Sequence, residues 1–220
     1  MLRRRHDRGD TIVEVLFAVA VFALVVVGAL SLMSQGSATS QRALEITLVR
    51  QQMDAQAETL RFLHDSYVSV YQSGITYDTT DGASSPAEEW HKMMTYVRST
   101  GENTATTFGY CPVYDPDSPS SYAIPQGSFL LNSRTARVVT PVQFPDAMKS
   151  AETWSQVTYD DSDQATGYGL WIEAVRSEVS PDPNQLTGYV DFHIRSCWDS
   201  IGLQTPMHLG TIVRLYEPRG

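Results

Sequence analysis

The stretch Gly9-Asp10-Thr11-Ile12-Val13-Glu14-Val15-Leu16-Phe17-Ala18 decides the fold of this 220-residue chain. It joins an arginine-rich leader to a long apolar run, and no charged side chain occurs from Val15 to Met33. A helix of about 20 apolar residues crosses the hydrocarbon core of a bilayer, so this run predicts a transmembrane helix. Glu14 directly precedes it. Because a charge within the membrane costs about 2.5 to 3.5 kcal/mol on insertion scales, we expect this carboxylate to meet a cation.

The leader, residues 1–9, indicates the orientation of that helix. It contains four arginines: Arg3, Arg4, Arg5 and Arg8. Basic residues beside a transmembrane helix stay in the cytoplasm, which predicts that the rest of the chain lies outside. A secretory signal peptide has a shorter apolar region that ends at a small-residue cleavage site. The run here is longer, and Gly28-Ala29-Leu30-Ser31 is a poor site of that kind.

The junction resembles the class III leader of type IV prepilins. The usual pattern in that family is Gly-Phe-Thr-Leu-Ile-Glu followed by a long apolar segment, and this chain has Gly-Asp-Thr-Ile-Val-Glu. Gly9, Thr11 and Glu14 match the pattern, and Ile12 and Val13 are apolar replacements. The resemblance covers about the first thirty residues and implies a subunit of a type IV pilus or a pilus-like fibre, most consistent with a minor pilin.

The resemblance also implies roles for three residues. A prepilin peptidase would cleave after Gly9 on the cytoplasmic side, and the new amine of Asp10 would be methylated. Asp10 departs from the family pattern, in which the first mature residue is commonly Phe or Met. Glu14 would pair with the N-terminal amine of a neighbouring subunit, which fits the rule that a buried charge needs an opposite partner. The implied partners are other pilin subunits, the prepilin peptidase, the pilus assembly platform and membrane lipid.

Three other interpretations stay open at this point. A type II secretion or competence pseudopilin would share the leader and the helix but would form a short periplasmic fibre. A single-pass anchored extracellular receptor or hydrolase would keep its leader and stay monomeric. An ordinary signal anchor would place Glu14 at the level of the lipid headgroups. The expected location is the cytoplasmic membrane, single-pass with the N-terminus inside, followed by an extracellular pilus fibre.

The helical pattern continues beyond the apolar run. Apolar side chains recur at steps of three and four, which places one stripe along a helix: Ile46, Val49, Met53, Ala57, Leu60, Leu63, Tyr67 and Val70. No proline occurs from Asp10 to Ser73, and Gly74 supplies a stop. We predict a cleaved leader at 1–9, a helix at 10–73 that spans the membrane at 12–33, and a globular domain at 74–220. In pilins the second half of this helix packs on the globular domain. The resemblance therefore implies an α+β lollipop, in which the helix packs on a C-terminal antiparallel β-sheet.

Local patterns predict the elements of the globular part. Ser85-Pro86-Ala87-Glu88 is a capping box, which predicts a helix over 86–99. A hairpin is expected from residues 129–131 and 136–140, and further strands are expected at 168–176, 189–197 and 211–216. Along 189–197, apolar and polar residues alternate, as in a sheet with one covered face. The stripe on the long helix is the expected cover.

The two cysteines, Cys111 and Cys197, lie in the exported region. An even number of cysteines outside the cytoplasm favours a disulfide, which would stabilise the fold by roughly 4 kcal/mol in the chain-entropy model. Two buried thiols are the alternative. We predict no metal site. The acidic turn at 160–163 invites a calcium interpretation, but Thr166 and Ile172 stand where an EF-hand loop needs glycine and glutamate.

Charge and motif content limit the remaining functions. The chain has a formal net charge of −9; without the leader's four arginines and one aspartate, 12 basic and 24 acidic residues remain, a net charge of −12. Such a surface repels phosphate, and the nearest basic group is Arg134 with Arg137, so no nucleic acid partner is expected. No catalytic motif occurs and the histidines are dispersed, so we predict no catalytic residue, no cofactor and no enzyme activity.

Overall fold

A computed structural model describes residues 12–72, 85–100, 111, 124, 127–144, 146–176 and 188–217. These residues form two helices and eight strands: α1 (Ile12–Gln72), α2 (Pro86–Thr100), β1 (Leu130–Asn132), β2 (Arg137–Val139), β3 (Met148–Lys149), β4 (Gln156–Tyr159), β5 (Ala165–Tyr168), β6 (Leu170–Arg176), β7 (Tyr189–Trp198) and β8 (Met207–Tyr216). The chain divides into two compact units, Met1–Leu44 and Glu45–Gly220. The predicted α+β class, with one long N-terminal helix and a sheet-rich C-terminal part, is confirmed.

α1 is a 61-residue helix that continues through Gly28 and Gly36. Its apolar stripe is buried from Val49 to Leu63, and Ile46 and Tyr67 pack at its two ends. The helix belongs to the first unit up to Leu44 and to the second unit from Glu45. The predicted stop at Gly74 lies outside the described residues.

α2 begins at the predicted capping box. The backbone N–H of Ser85 donates to Glu88 Oε2 (2.7 Å), and the backbone N–H of Glu88 donates to Ser85 Oγ (3.3 Å). Both bonds satisfy N–H groups near the helix start, and Pro86 at the first helical position has no N–H to satisfy. The buried face of α2 comprises Ala87, Glu89, Trp90, Met93, Met94 and Val97.

The described strands form three sheets. β1 and β2 make the predicted hairpin, β6, β7 and β8 form an antiparallel sheet in that order, and β3, β5 and β4 form a mixed sheet. The β3–β5 pair is parallel, so the expectation of an antiparallel domain was wrong for this pair. The strand expected at 168–176 is interrupted at Gly169, whose positive φ of 63° turns the chain between β5 and β6.

The core lies between the helices and the β6–β7–β8 sheet. Along β7, Val190, Phe192 and Ile194 are buried and face α1 and α2, as their alternation predicts. The Phe192 ring lies 5.7 Å from that of Trp90 and 6.3 Å from that of Phe129. The Ser196 hydroxyl lies 3.6 Å from Met53 Sδ, so β7 meets the stripe on α1 directly.

Candidate functional site

The candidate assembly surface is the N-terminal part of α1, where Glu14 lies in the first helical turn. The first N–H groups of a helix have no intrahelical partner, and the helix dipole is positive there. A carboxylate at this position is therefore favoured electrostatically. Over residues 12–41 Glu14 is the only charged residue, so this part of α1 supplies no cation for it.

The helix surface that follows Glu14 is apolar and uncovered. Large side chains remain exposed along it, including Ile12 (79%), Phe17 (72%), Leu24 (73%) and Met33 (73%). This is the one helix among the described residues that is long and apolar enough to cross a membrane. Each such side chain left in water forfeits about 1.5 to 3 kcal/mol of burial energy. The segment therefore fits a single-pass membrane protein, in which lipid or neighbouring helices cover it.

The processing residues Gly9 and Asp10 lie outside the described residues, so the expected cleavage and methylation remain predictions. The structure places Glu14 beside the apolar surface, at the start of the helix. The same N-terminal segment would thus carry the carboxylate and the apolar face that an assembling helix needs.

Where α1 enters the globular unit, Glu45 fixes it to the end of β7. Its Oε2 atom accepts hydrogen bonds from Trp198 Nε1 (3.1 Å) and from Ser200 Oγ (2.7 Å). Farther along, the Gln56 amide bonds both to the carbonyl oxygen of Leu131 (2.7 Å) and to its N–H (2.9 Å). These contacts hold the second half of α1 against the strands through polar as well as apolar groups.

Cys111 and Cys197 form a disulfide, as the sequence predicts, with their Cα atoms 5.3 Å apart. Cys197 is buried with Met148 and Trp171 in a small second core, and Cys111 and Ile124 pack against it. This small core lies on the face of β6–β7 opposite α1, because Trp171 and Cys197 alternate with the residues that face the helices.

The acidic turn at 160–163 is held together by hydrogen bonds between the Asp160 side chain and the backbone of the turn. Asp160 Oδ1 accepts the N–H groups of Ser162 (2.9 Å) and Gln164 (2.8 Å), and the Asp163 carboxylate binds Arg134 (3.0 Å). Among the described residues there is no group of three or more His, Cys, Asp or Glu side chains that could hold a metal ion. The Arg134 guanidinium also stacks on the Tyr159 ring, 4.0 Å from its centroid, so it links the β1–β2 turn to the β4–β5 hairpin.

The outer face of β7–β8 carries an ion pair between Arg214 and Asp191. Arg214 makes two 2.7 Å hydrogen bonds to the Asp191 carboxylate and lies 4.0 Å from the Tyr189 ring centroid. The hydrogen bonds from Arg214 hold the pKa of Asp191 below its ordinary value, and Asp191 raises the pKa of Arg214. Burial and the nearby Arg195 lower the pKa of His193. Charge pairs on an exposed strand chiefly orient side chains, because solvent screens them.

A cleft of about 530 Å³ lies between α2 and the segment after β2. Glu89, Lys92, Tyr96 and Arg137 line it with apolar residues of the 138–144 segment. The Glu89 carboxylate accepts a hydrogen bond from the Val138 N–H (2.9 Å) and lies 3.2 Å from the Lys92 ammonium. Burial raises the pKa of Tyr96. The Glu89 carboxylate therefore links α2 to β2.

Sequence reasoning missed four residues that shape these sites: Glu45, Gln56, Glu89 and His208. Gln56 had a visible signal, since it is a polar residue on the apolar side of α1, three residues after Met53 and four before Leu60. His208 had none, because its position beside Cys197 follows from the β7–β8 register.

Comparison with models of protein families, with curated proteins and with solved structures finds no match for this chain. The strongest feature is the uncovered apolar segment of α1 with one carboxylate at its start.

Proposed function

We propose that the chain is a structural subunit, of minor pilin type, in a type IV pilus or pilus-like fibre. The observation that carries the proposal is Glu14 in the first turn of an apolar, uncovered helix that has no cation of its own over residues 12–41. The prepilin-like junction at Gly9 would supply the cation that Glu14 needs, because cleavage there would create an N-terminal amine on each subunit.

The physical mechanism follows from desolvation. An unpaired carboxylate at the edge of the hydrocarbon is costly, and an incoming amine of a neighbouring subunit removes that cost by pairing with it. The apolar surface of α1 supplies the rest of the contact, since helices that pack together replace lipid contacts with one another. Assembly is then directional: the charge pair sets the axial position, and the apolar surfaces hold it.

The orientation in this proposal comes from the leader. Its four arginines would remain in the cytoplasm until cleavage, and the globular unit would lie outside. The disulfide between Cys111 and Cys197 agrees with an oxidising compartment.

Glu14→Gln tests the mechanism. An uncharged amide is cheaper to bury than a carboxylate, so membrane insertion should be unchanged, whereas recovery of the subunit in sheared fibres should fall at least tenfold. The matched control is Asp54→Asn, which removes an exposed carboxylate farther along the same helix. Mass analysis of the membrane-bound wild type should find Asp10 as the first residue.

Three results would contradict the proposal or replace it with one of its alternatives. Equal recovery of the Glu14 variant and the wild type in fibres would show that the carboxylate does not recruit the subunit. An intact N-terminus at Met1 would favour the anchored receptor or hydrolase instead. Retention of the processed protein in a short periplasmic fibre would select the pseudopilin alternative.

A further inference from the structure

The disulfide has a chemically asymmetric environment. Cys197 is 1% exposed, whereas Cys111 is partly exposed, so a reagent in solution reaches one sulfur before the other. Thiol–disulfide exchange proceeds by attack of a thiolate on one sulfur with the other as leaving group. The difference in burial therefore determines which cysteine takes the incoming group.

The β7–β8 register places an imidazole beside the buried sulfur. Cys197 stands directly opposite His208 in the antiparallel pair. The Cys197 N–H bonds to the Gly169 carbonyl oxygen on the β6 side, so Cys197 and His208 form a pair without mutual backbone hydrogen bonds. Side chains of such pairs approach closely. His208 Nε2 lies 3.9 Å from Cys197 Sγ, within reach of a hydrogen bond to sulfur.

We propose that the disulfide is a site of thiol–disulfide exchange with a dithiol reagent or dithiol protein, in which Cys111 takes the incoming thiol and Cys197 is the leaving thiolate. His208 stabilises that thiolate as it forms. A neighbouring imidazole favours the thiolate, and a better leaving group speeds exchange. The inference does not depend on the proposed function, since it concerns only the globular unit.

The steps balance without another reactant. The thiolate of the dithiol bonds to Cys111 Sγ, the Cys111–Cys197 bond breaks, and its electron pair stays on Cys197 Sγ. The second thiol of the dithiol then displaces Cys111 from the mixed disulfide. The dithiol ends as a disulfide, and its two protons end on the two cysteines. In the reverse direction, Cys197 closes the bond by attacking a mixed disulfide on Cys111.

The first experiment uses the full-length wild type in detergent, so that no variant has to fold. Limiting reduced glutathione opens the bond, acid stops the reaction, and N-ethylmaleimide caps free thiols before peptide mapping. We expect glutathione on Cys111 and the maleimide on Cys197. Glutathione on Cys197, an equal distribution, or no reaction with glutathione or dithiothreitol below the unfolding transition would overturn the proposal.

The second experiment measures the rate of opening by dithiothreitol in His208→Ala at pH 7. Loss of an imidazole 3.9 Å from the sulfur that becomes the leaving thiolate should slow opening about fivefold, the size of effect expected from one hydrogen bond. The control His91→Ala, on α2, should open at the wild-type rate. The thermal midpoint of each oxidised protein separates a chemical role from a structural one, since His208→Ala should leave it unchanged. An unchanged rate in His208→Ala would refute the role of the imidazole.

Discussion

Replacing Gln56 with leucine tests how α1 holds the β1–β2 hairpin. The Gln56 amide is 1% exposed and bonds both backbone groups of Leu131, which is itself fully buried. Leu131 stands opposite Val138, whose N–H binds Glu89 on α2. At the edges of this short hairpin, Leu131 and the Val138 N–H are therefore bound by side chains of the helices, while the neighbouring Phe129 bridges to Ile172 of β6.

The magnitude follows from those bonds. Leucine fills a similar volume but leaves the Leu131 N–H and carbonyl oxygen buried without partners, at about 1 to 3 kcal/mol for each group. The added apolar surface of leucine offsets roughly 1 kcal/mol of that loss. We expect a net destabilisation of about 1 to 5 kcal/mol, against the 5 to 15 kcal/mol typical of a folded protein.

The assay is thermal unfolding of the full chain in detergent, followed by tryptophan fluorescence. A loss of this size should lower the midpoint by about 2 to 20 °C for a chain of this length. Gln51→Leu is the matched control. Gln51 is exposed on the same helix, so this variant makes the same chemical change without removing a buried hydrogen bond. Equal midpoints for the two variants would refute the reasoning.

Gln56→Glu adds a pH signature. A buried carboxylate facing the Leu131 carbonyl oxygen would have a raised pKa, so the native state would bind its proton more tightly than the unfolded chain. The stability deficit relative to wild type should therefore be largest at pH 7 and shrink as the pH falls toward the ordinary carboxyl pKa of about 4.3. A deficit that is constant with pH would mean that the side chain is solvated.

Two further predictions concern the sheets. Gly169→Ala should lower the free energy of unfolding by at least about 2 kcal/mol in chemical denaturation, because φ is 63° there and an added Cβ would overlap the Cys197 carbonyl oxygen. Gly210→Ala is the control. An added Cβ there meets only an atom at 3.8 Å, so the loss of stability should be clearly smaller. Asp191→Asn should lower stability at pH 7, where the wild-type carboxylate is ionised and bonded to Arg214. Because that bond depresses the folded pKa, the difference should shrink as the pH falls below the ordinary value of about 3.9 and should vanish below the depressed folded pKa. A difference that stays constant as the pH falls through this range would contradict the pairing.

The long helix and its two surfaces could be predicted because periodicity is local. Steps of three and four define the buried stripe of α1, and the apolar run defines the uncovered segment, whatever the rest of the chain does. The capping box at Ser85 and the alternation along β7 are local in the same way. Each of these elements carries its signal within its own stretch of sequence.

The strands β3, β4 and β5 could not be predicted because their signals are not local. They contain two to four residues each, too few to show a period, and β3 pairs with β5 in parallel across a long connection. The same limit applies to β8, which begins at Met207 rather than at the expected Thr211. Residues Met207 to Gly210 are ordered by pairing with Arg195 to Trp198, although His208 and Gly210 weaken the strand pattern.

The hydrogen bond to α1 and the disulfide meet at the end of β7. Trp198 binds Glu45, the first residue of the globular unit, and the adjacent Cys197 carries the disulfide to Cys111. Within the globular unit, Glu45 thus joins α1 to the same strand end to which the disulfide is attached. Because the disulfide is covalent, it keeps Cys111 joined to this strand end even when hydrogen bonds there break. If the chain is a fibre subunit as proposed, this attachment would strengthen the strand end that holds α1, and the same bond is the one that the proposed dithiol exchange would open.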